Sequence, residues 1–148
     1  MTSASRRTAR ETLAGLLTTA LVGSGKPAAA VYDYLVGDFQ GQSPVVVVSS
    51  GPAERVRDSM GDCYRSRFEL RCYVFVAYSD PAGTWTEADA EDAIDAIEVA
   101  IADVVLANSR SVGAWDFLAL LMPTELDSVT IGGNEYRREI ITMTVEVL

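Results

Sequence analysis

The side chains here that could carry chemistry are a set of carboxylates, the cysteines Cys63 and Cys72, and a Gly-Ser-Gly-Lys run from Gly23 to Lys26. Histidine is missing from all 148 residues. Its absence removes the commonest general base, the commonest metal ligand and any Ser-His or Cys-His nucleophile pair. Acid/base catalysis by two carboxylates needs one of them in an apolar setting that lifts its pKa. Asp33, between Tyr32 and Tyr34, comes nearest to that, and its pattern reads as an edge strand. The cysteines have no third ligand beside them, so no metal cluster is expected. Both fall on one candidate strand, roughly 30 Å apart at about 3.3 Å per residue, too far for a disulfide. They are read as reduced, Cys72 in the core and Cys63 at the strand entry. Gly23 to Lys26 lacks phosphate-loop spacing, because Pro27 follows the lysine and no strand precedes the glycines. These residues predict no enzyme, no cofactor and no metal.

The elements that would position any site centre on Tyr64 to Asn108. Phe68, Leu70, Cys72, Val74, Val76 and Tyr78 alternate with Arg65, Arg67, Glu69, Arg71, Tyr73 and Phe75. This period of two predicts a strand with one apolar face. Its other face turns from charged to aromatic, which predicts a strand that becomes covered on both sides partway along. Pro81 and Gly83 turn the chain into a helix capped by Thr86, with Asp89 three residues on and Trp85 placed to staple onto Ala90. Ala93, Ile94, Ile97, Ala100, Ile101, Val104 and Val105 take helical spacing. Glu91, Asp92, Asp95 and Glu98 form its outer face, and no Lys or Arg occurs between Arg71 and Arg110. That face is either simply solvated, or it meets a basic partner or lines a space that should repel nucleic acid.

Residues 1–30 allow two readings. Arg6, Arg7, the apolar run from Leu13 to Val22 and Ala28 to Ala30 resemble a twin-arginine export signal. Glu11 and the interrupting Thr and Gly residues oppose it, and Ala9, Leu13, Leu16, Leu17, Ala20 and Leu21 instead fit an amphipathic helix capped by Ser5 and stopped at Gly23. The helix is the expectation, followed by a linker. Val31 to Val36 reads as a short strand, Val45 to Val48 as a strand buried on both faces, and Ser49 to Asp62 as a long polar loop. In that loop Glu54, Arg55, Arg57 and Asp58 are interaction candidates. The patch from Trp115 to Met122 reads as a short strand or a covering segment. Leu126 to Ile131 and Tyr136 to Leu148 flank Gly132, Gly133 and Asn134 as a hairpin, with Arg137 and Arg138 at an exposed tip.

The fold class expected is α+β, a mostly antiparallel β-sheet with two main helices packed on one face, in a single domain spanning 1–148. With 49% hydrophobic residues the chain can build its own core. The net charge of -9 argues against binding nucleic acid by phosphate neutralisation. No stretch approaches the roughly 20 consecutive apolar residues of a membrane span.

The order of these pieces resembles the tail terminator (tail completion) proteins of long-tailed bacteriophages. The resemblance lies in the N-terminal helix, Tyr-Asp-Tyr at 32–34, Pro-Val-Val-Val-Val at 44–48 and the long strand ending in Tyr-Ser-Asp at 78–80. It continues in the Trp-Thr-Glu-Ala helix start at 85–88 and the Tyr-Arg-Arg-Glu strand from 136. It covers essentially the whole chain and rests on order and pattern, with no catalytic signature. It implies a structural virion protein at the head-proximal end of the tail, assembled in the host cytoplasm. Such a protein forms a hexameric ring that ends tube polymerisation and offers a surface for head joining. The partners implied are further copies of the chain, the tail tube protein and a head-completion or connector protein, with DNA passing through and not specifically bound. No cofactor and no active site are implied. Interface candidates are Glu54, Arg55, Arg57, Asp58, Arg65, Arg67, Arg71, Arg137 and Arg138, with Arg65, Arg67 and Arg71 able to meet the acidic helix of the next subunit. Another neck or tail ring subunit (a head-tail connector or tail tube protein), an exported monomeric binding domain and, last, a small enzyme are the other readings.

Overall fold

The computed structural model describes residues 5–57, 64–78, 83–111, 113–121 and 123–147. The elements run α1 (Arg6–Leu21), β1 (Ala30–Tyr32), β2 (Val45–Arg57), β3 (Tyr64–Ala77), α2 (Glu87–Ala107), β4 (Phe117–Leu120), β5 (Glu125–Ile131) and β6 (Asn134–Val147). The strands form a six-stranded sheet in the order β1-β2-β3-β6-β4, with β5 also on β6. Every pairing is antiparallel except β1 with β2. The fold is α+β, as expected.

Both helices lie on one face of the sheet because each carries an apolar stripe of the right period. In α1 the buried residues Ala9, Leu13, Leu17 and Leu21 recur every fourth position, and Ser5 Oγ accepts a hydrogen bond from Thr8 N. The segment that resembles an export signal is therefore a helix built into the core. In α2 the stripe is Ala90, Ile94, Ile97, Ile101 and Val105. Thr86 and Asp89 form a reciprocal capping box, with Asp89 N donating to Thr86 Oγ1 and Thr86 N donating to Asp89 Oδ2 at 2.9 Å. Trp85 anchors the helix start by donating from Nε1 to the Ala77 carbonyl at 2.6 Å, and it packs against the same core as Ala90. Beneath the helices lie Phe68, Leu70, Cys72, Val74 and Val76 of β3, with Ile141, Met143 and Val145 of β6.

The other face of β3 follows the sequence pattern. Tyr73 and Phe75 join a second cluster in which Phe39 packs on Val45, Val47 and Tyr136, while Arg67, Glu69 and Arg71 lie outside it. The covering chain is the segment between β1 and β2, so the strand expected over Val31 to Val36 stops at Tyr32. From Asp33 on, the backbone leaves the sheet to lay Phe39 over Phe75, their rings 4.9 Å apart.

The expected loop from Ser49 to Asp62 is also corrected. Through Arg57 it is strand, paired with β3. Gly51 and Pro52 punctuate it without ending it. The register slips by one residue between Ser50 and Ala53, a β-bulge that places a proline where no ladder hydrogen bond is needed. A Cβ at Gly51 would stand 2.8 Å from Glu69 Cβ, so the two chains approach closer there than any other residue allows. The C-terminal hairpin turns through Gly132 and Gly133 at φ of 59° and 81°, the left-handed pair of a two-residue loop. Among the described residues no helix is long and apolar enough to cross a membrane.

Candidate functional site

Among the described residues no group of three or more Cys, Asp or Glu is placed to hold a metal ion. Cys72 is free and fully enclosed, and burial pushes its thiol up to about 12, which leaves no thiolate at neutral pH. Cys63 and Asp58 lie outside the described residues. Asp33 is partly exposed in the segment that leaves the sheet. The described residues do form concave surfaces.

The first is the part of the sheet's second face that Phe39 does not cover. The β2 bulge forms one wall and β4 the other, and β3 and β6 supply the floor. The groove between them holds about 510 Å³, lined by Pro52, Ala53, Phe117, Ala119 and Leu121 with Arg67 and Glu146 across the middle. Phe117 and Leu121 are 51% and 40% exposed, adjacent apolar side chains on a face that a soluble chain usually fills with polar ones. Beyond the groove, the described pairing of β3 with β6 begins at Ser66, and before it Tyr64 and Arg65 pair with Arg57 and Val56 of β2 as a two-stranded arm.

The structure locates each sequence candidate. Glu54, Arg55 and Arg57 lie on β2, exposed, toward the arm; Arg65 is exposed opposite Val56. Arg67 reaches across the sheet to Glu146 at 2.9 Å, and Arg71 pairs with Glu69 at 3.0 Å. Both arginines are thus engaged within the chain. Arg137 and Arg138 are not at an exposed tip. The strand's alternation sends Arg137 to the helix face, where it stands 2.9 Å from Glu91, and Arg138 to the other face, where its guanidinium grips Asp127 at 2.9 and 2.5 Å. The hydrogen bond from Arg138 holds the Asp127 carboxyl below its usual range. Glu91 and Glu98 are partly buried, whereas Asp92 and Asp95 are exposed.

Two features were not read from the sequence. Glu139 is 5% exposed on the helix face of β6. Thr124 Oγ1 donates to its Oε2 at 2.5 Å, and Oε1 has no partner among the described residues. Burial raises its pKa, Glu98 and Asp95 on α2 add to the rise, and Thr124 and Arg137 oppose it. Its signal was available: a charged residue at an odd position of a strand whose later odd positions, Ile141, Met143 and Val145, are all core. The second feature is a hollow at the start of α1, lined by Arg6, Arg7, Arg10 and Arg55 with Ser5 and Ser50. Its residues come from two distant stretches, and only the fold brings them together.

No protein-family model and no curated protein matches the chain. Among solved structures, a chain of the "Virion of native gene transfer agent (GTA) particle" is similar over 95% of this chain and 93% of that one, with 16% identity and a TM-score of 0.46. A likeness at that level carries no argument about what this chain does.

Proposed function

We propose that the chain is a structural virion protein, the tail terminator of a long-tailed phage. Copies close into a ring, expected to be hexameric, on the last ring of the tail tube. The ring ends polymerisation and presents its far side to a head-completion or connector protein, while DNA passes through. The role is non-enzymatic and needs no cofactor.

The observation that carries this reading is the uncovered part of the sheet, with an apolar groove on one side and a two-stranded arm beyond it. Apolar surface of this kind is what a subunit buries against neighbours. Two further features agree with it. The sequence pattern resembles the terminator family from end to end. The overall charge of -9 suits a wall that lets DNA slide without holding it.

The test is native mass spectrometry of the full chain with negative-stain imaging, followed by mixing with tail tubes. Closed rings that cap tubes support the proposal. Open stacks of the chain alone identify a tube subunit, and a protein that neither closes nor caps overturns the reading.

A further inference from the structure

The chain is acidic, yet four of its arginines converge on one concave site. Arg6, Arg7 and Arg10 project from the first turns of α1 and Arg55 from β2, around a hollow of about 650 Å³. The positive end of the α1 dipole points the same way, and no acidic residue occupies the helix's first turn. All four are held in place by the chain itself: Arg7 Nε pairs with Glu11 at 2.8 Å and Arg55 Nη1 donates to Ser66 Oγ. Arg6 Nη1 donates to the Gly51 carbonyl at 2.8 Å, and Arg10 Nη1 donates to Ser50 Oγ at 3.1 Å. Each guanidinium has five donors, so these bonds orient the groups and leave most of their donors for something else. Arg10 Nε is buried and has no hydrogen-bond partner among the described residues.

The same molecule carries a matching surface. Along the outside of α2, Asp92, Asp95 and Asp103 are exposed, and they alternate with Val99 and Leu106, exposed at 56% and 72%. Among the described residues no basic side chain is paired with any of the three aspartates. Large apolar side chains mixed into an unneutralised acidic stripe are the composition of a contact surface.

We infer that the arginine hollow of one copy receives the acidic outer stripe of α2 from a second copy of this chain. Among the described residues no ion pair joins the two patches within one molecule, although α1 and α2 touch. α1 packs over β1 and β2, whereas α2 packs over β3, β6 and β4. The helices thus sit over opposite halves of the sheet. A contact between unlike patches is head-to-tail, and repetition closes it into a ring or extends it into a filament. Guanidinium forks bind carboxylates in pairs, which fixes register as well as adding attraction. The phosphate backbone of a nucleic acid would also satisfy arginines, but the net charge of -9 opposes its approach. This inference rests on the assembly reading for the presence of a second copy.

The test uses two charge-reversed variants of the full chain. R7E/R55E leaves the Arg6 and Arg10 bonds to β2 in place, and D92K/D95K alters only exposed positions of α2. Circular dichroism melts check that both fold. By sedimentation velocity at low ionic strength, the native chain associates, each variant alone associates at least about tenfold more weakly, and an equimolar mixture recovers the native behaviour. Recovery is expected because every head-to-tail contact in the mixture again joins opposite charges. Three results overturn the inference: variants that associate like the native chain, a native chain that stays monomeric at low salt, or a mixture that does not recover. Binding of a duplex DNA oligonucleotide that R7E/R55E loses, with association intact, would assign the hollow to phosphate instead. Tube capping is scored separately. Capping by variants that assemble normally sinks this contact and leaves the terminator reading standing, whereas charge-dependent association without capping does the reverse.

Discussion

Replacing Gly51 by alanine tests whether the bulge is a packed feature or an incidental one. The new Cβ would lie 2.8 Å from Glu69 Cβ and 3.2 Å from the Glu69 carbonyl oxygen. Ordinary contact between carbons is about 3.5–4.0 Å, so the β2 and β3 backbones must separate by roughly 1 Å. That separation also moves the Gly51 carbonyl, which accepts from Arg6, and so loosens the start of α1. Forcing a methyl into a close-packed site costs about 1–3 kcal/mol, a fall in Tm of roughly 2–12 °C for a chain of this size. Urea unfolding followed by tryptophan fluorescence gives the value, and two backgrounds give its cause. In E69G the obstructing Cβ is gone, so adding G51A should cost at least about 1 kcal/mol less than it does in the native chain. E69A removes the carboxylate but keeps the Cβ, so the full cost remains. A G51A variant within about 0.5 kcal/mol of native, or equal relief from E69A, would refute the steric account.

Glu139 sets a pH dependence whose sign is unusual for a carboxylate. Burial first, then Glu98 and Asp95, raise its folded pKa above the ordinary 4.5. The folded state therefore holds the proton more tightly, and this group's contribution is largest below the unfolded pKa and declines as pH rises through the folded one. E139Q keeps an acceptor for Thr124, so its stability relative to native should increase from pH 4 to pH 8 in urea midpoints; a difference independent of pH would contradict the assignment. Thr86→Ala removes one half of the capping box and should cost about 0.5–2 kcal/mol, with hydrogen exchange rising first in the opening turn of α2. Phe117→Arg, at a half-exposed position in the groove wall, should leave thermal stability within about 0.5 kcal/mol yet weaken ring closure or tube capping. Unchanged capping would remove the groove from the assembly surface.

Where one property of the sequence decided the outcome, that outcome was legible. α2 follows from a cap, an acid three residues later and an unbroken apolar period, and β3 follows from alternation on one face and a charged-to-aromatic change on the other. The second half of β2 was hidden because Gly51 and Pro52 read as turn residues; the bulge accommodates both, and a bulge depends on what lies opposite. The segment from Asp33 to Val36 looks as apolar as a strand, but it leaves the sheet, and of its apolar residues only Val36 packs into the second cluster while Tyr34 and Leu35 stay exposed. Arg137 and Arg138 illustrate the commonest limit. Their position beside a turn suggested exposure, whereas Arg137 is covered by α2, remote in sequence, and Arg138 is held by its cross-strand partner Asp127 in the same hairpin. The arginine hollow was out of reach for the same reason, since Arg55 meets α1 only after β2 has paired.

The placement of β6 has a consequence for the life of a single chain. It follows the other five strands in chain order, yet it stands inside the sheet, joining β3 along Ser66–Ala77 on one side and both β4 and β5 on the other. Chains emerge from the ribosome N-terminus first, so until β6 is released β3 offers an unpaired row of peptide groups and the helices have only part of a floor. The groove, too, takes Thr144 and Glu146 from β6. A chain that stops before β6 therefore lacks the strand that pairs β3 and the groove's Thr144 and Glu146. Under the proposed assembly, a chain made only as far as β5 would have no groove to offer another copy.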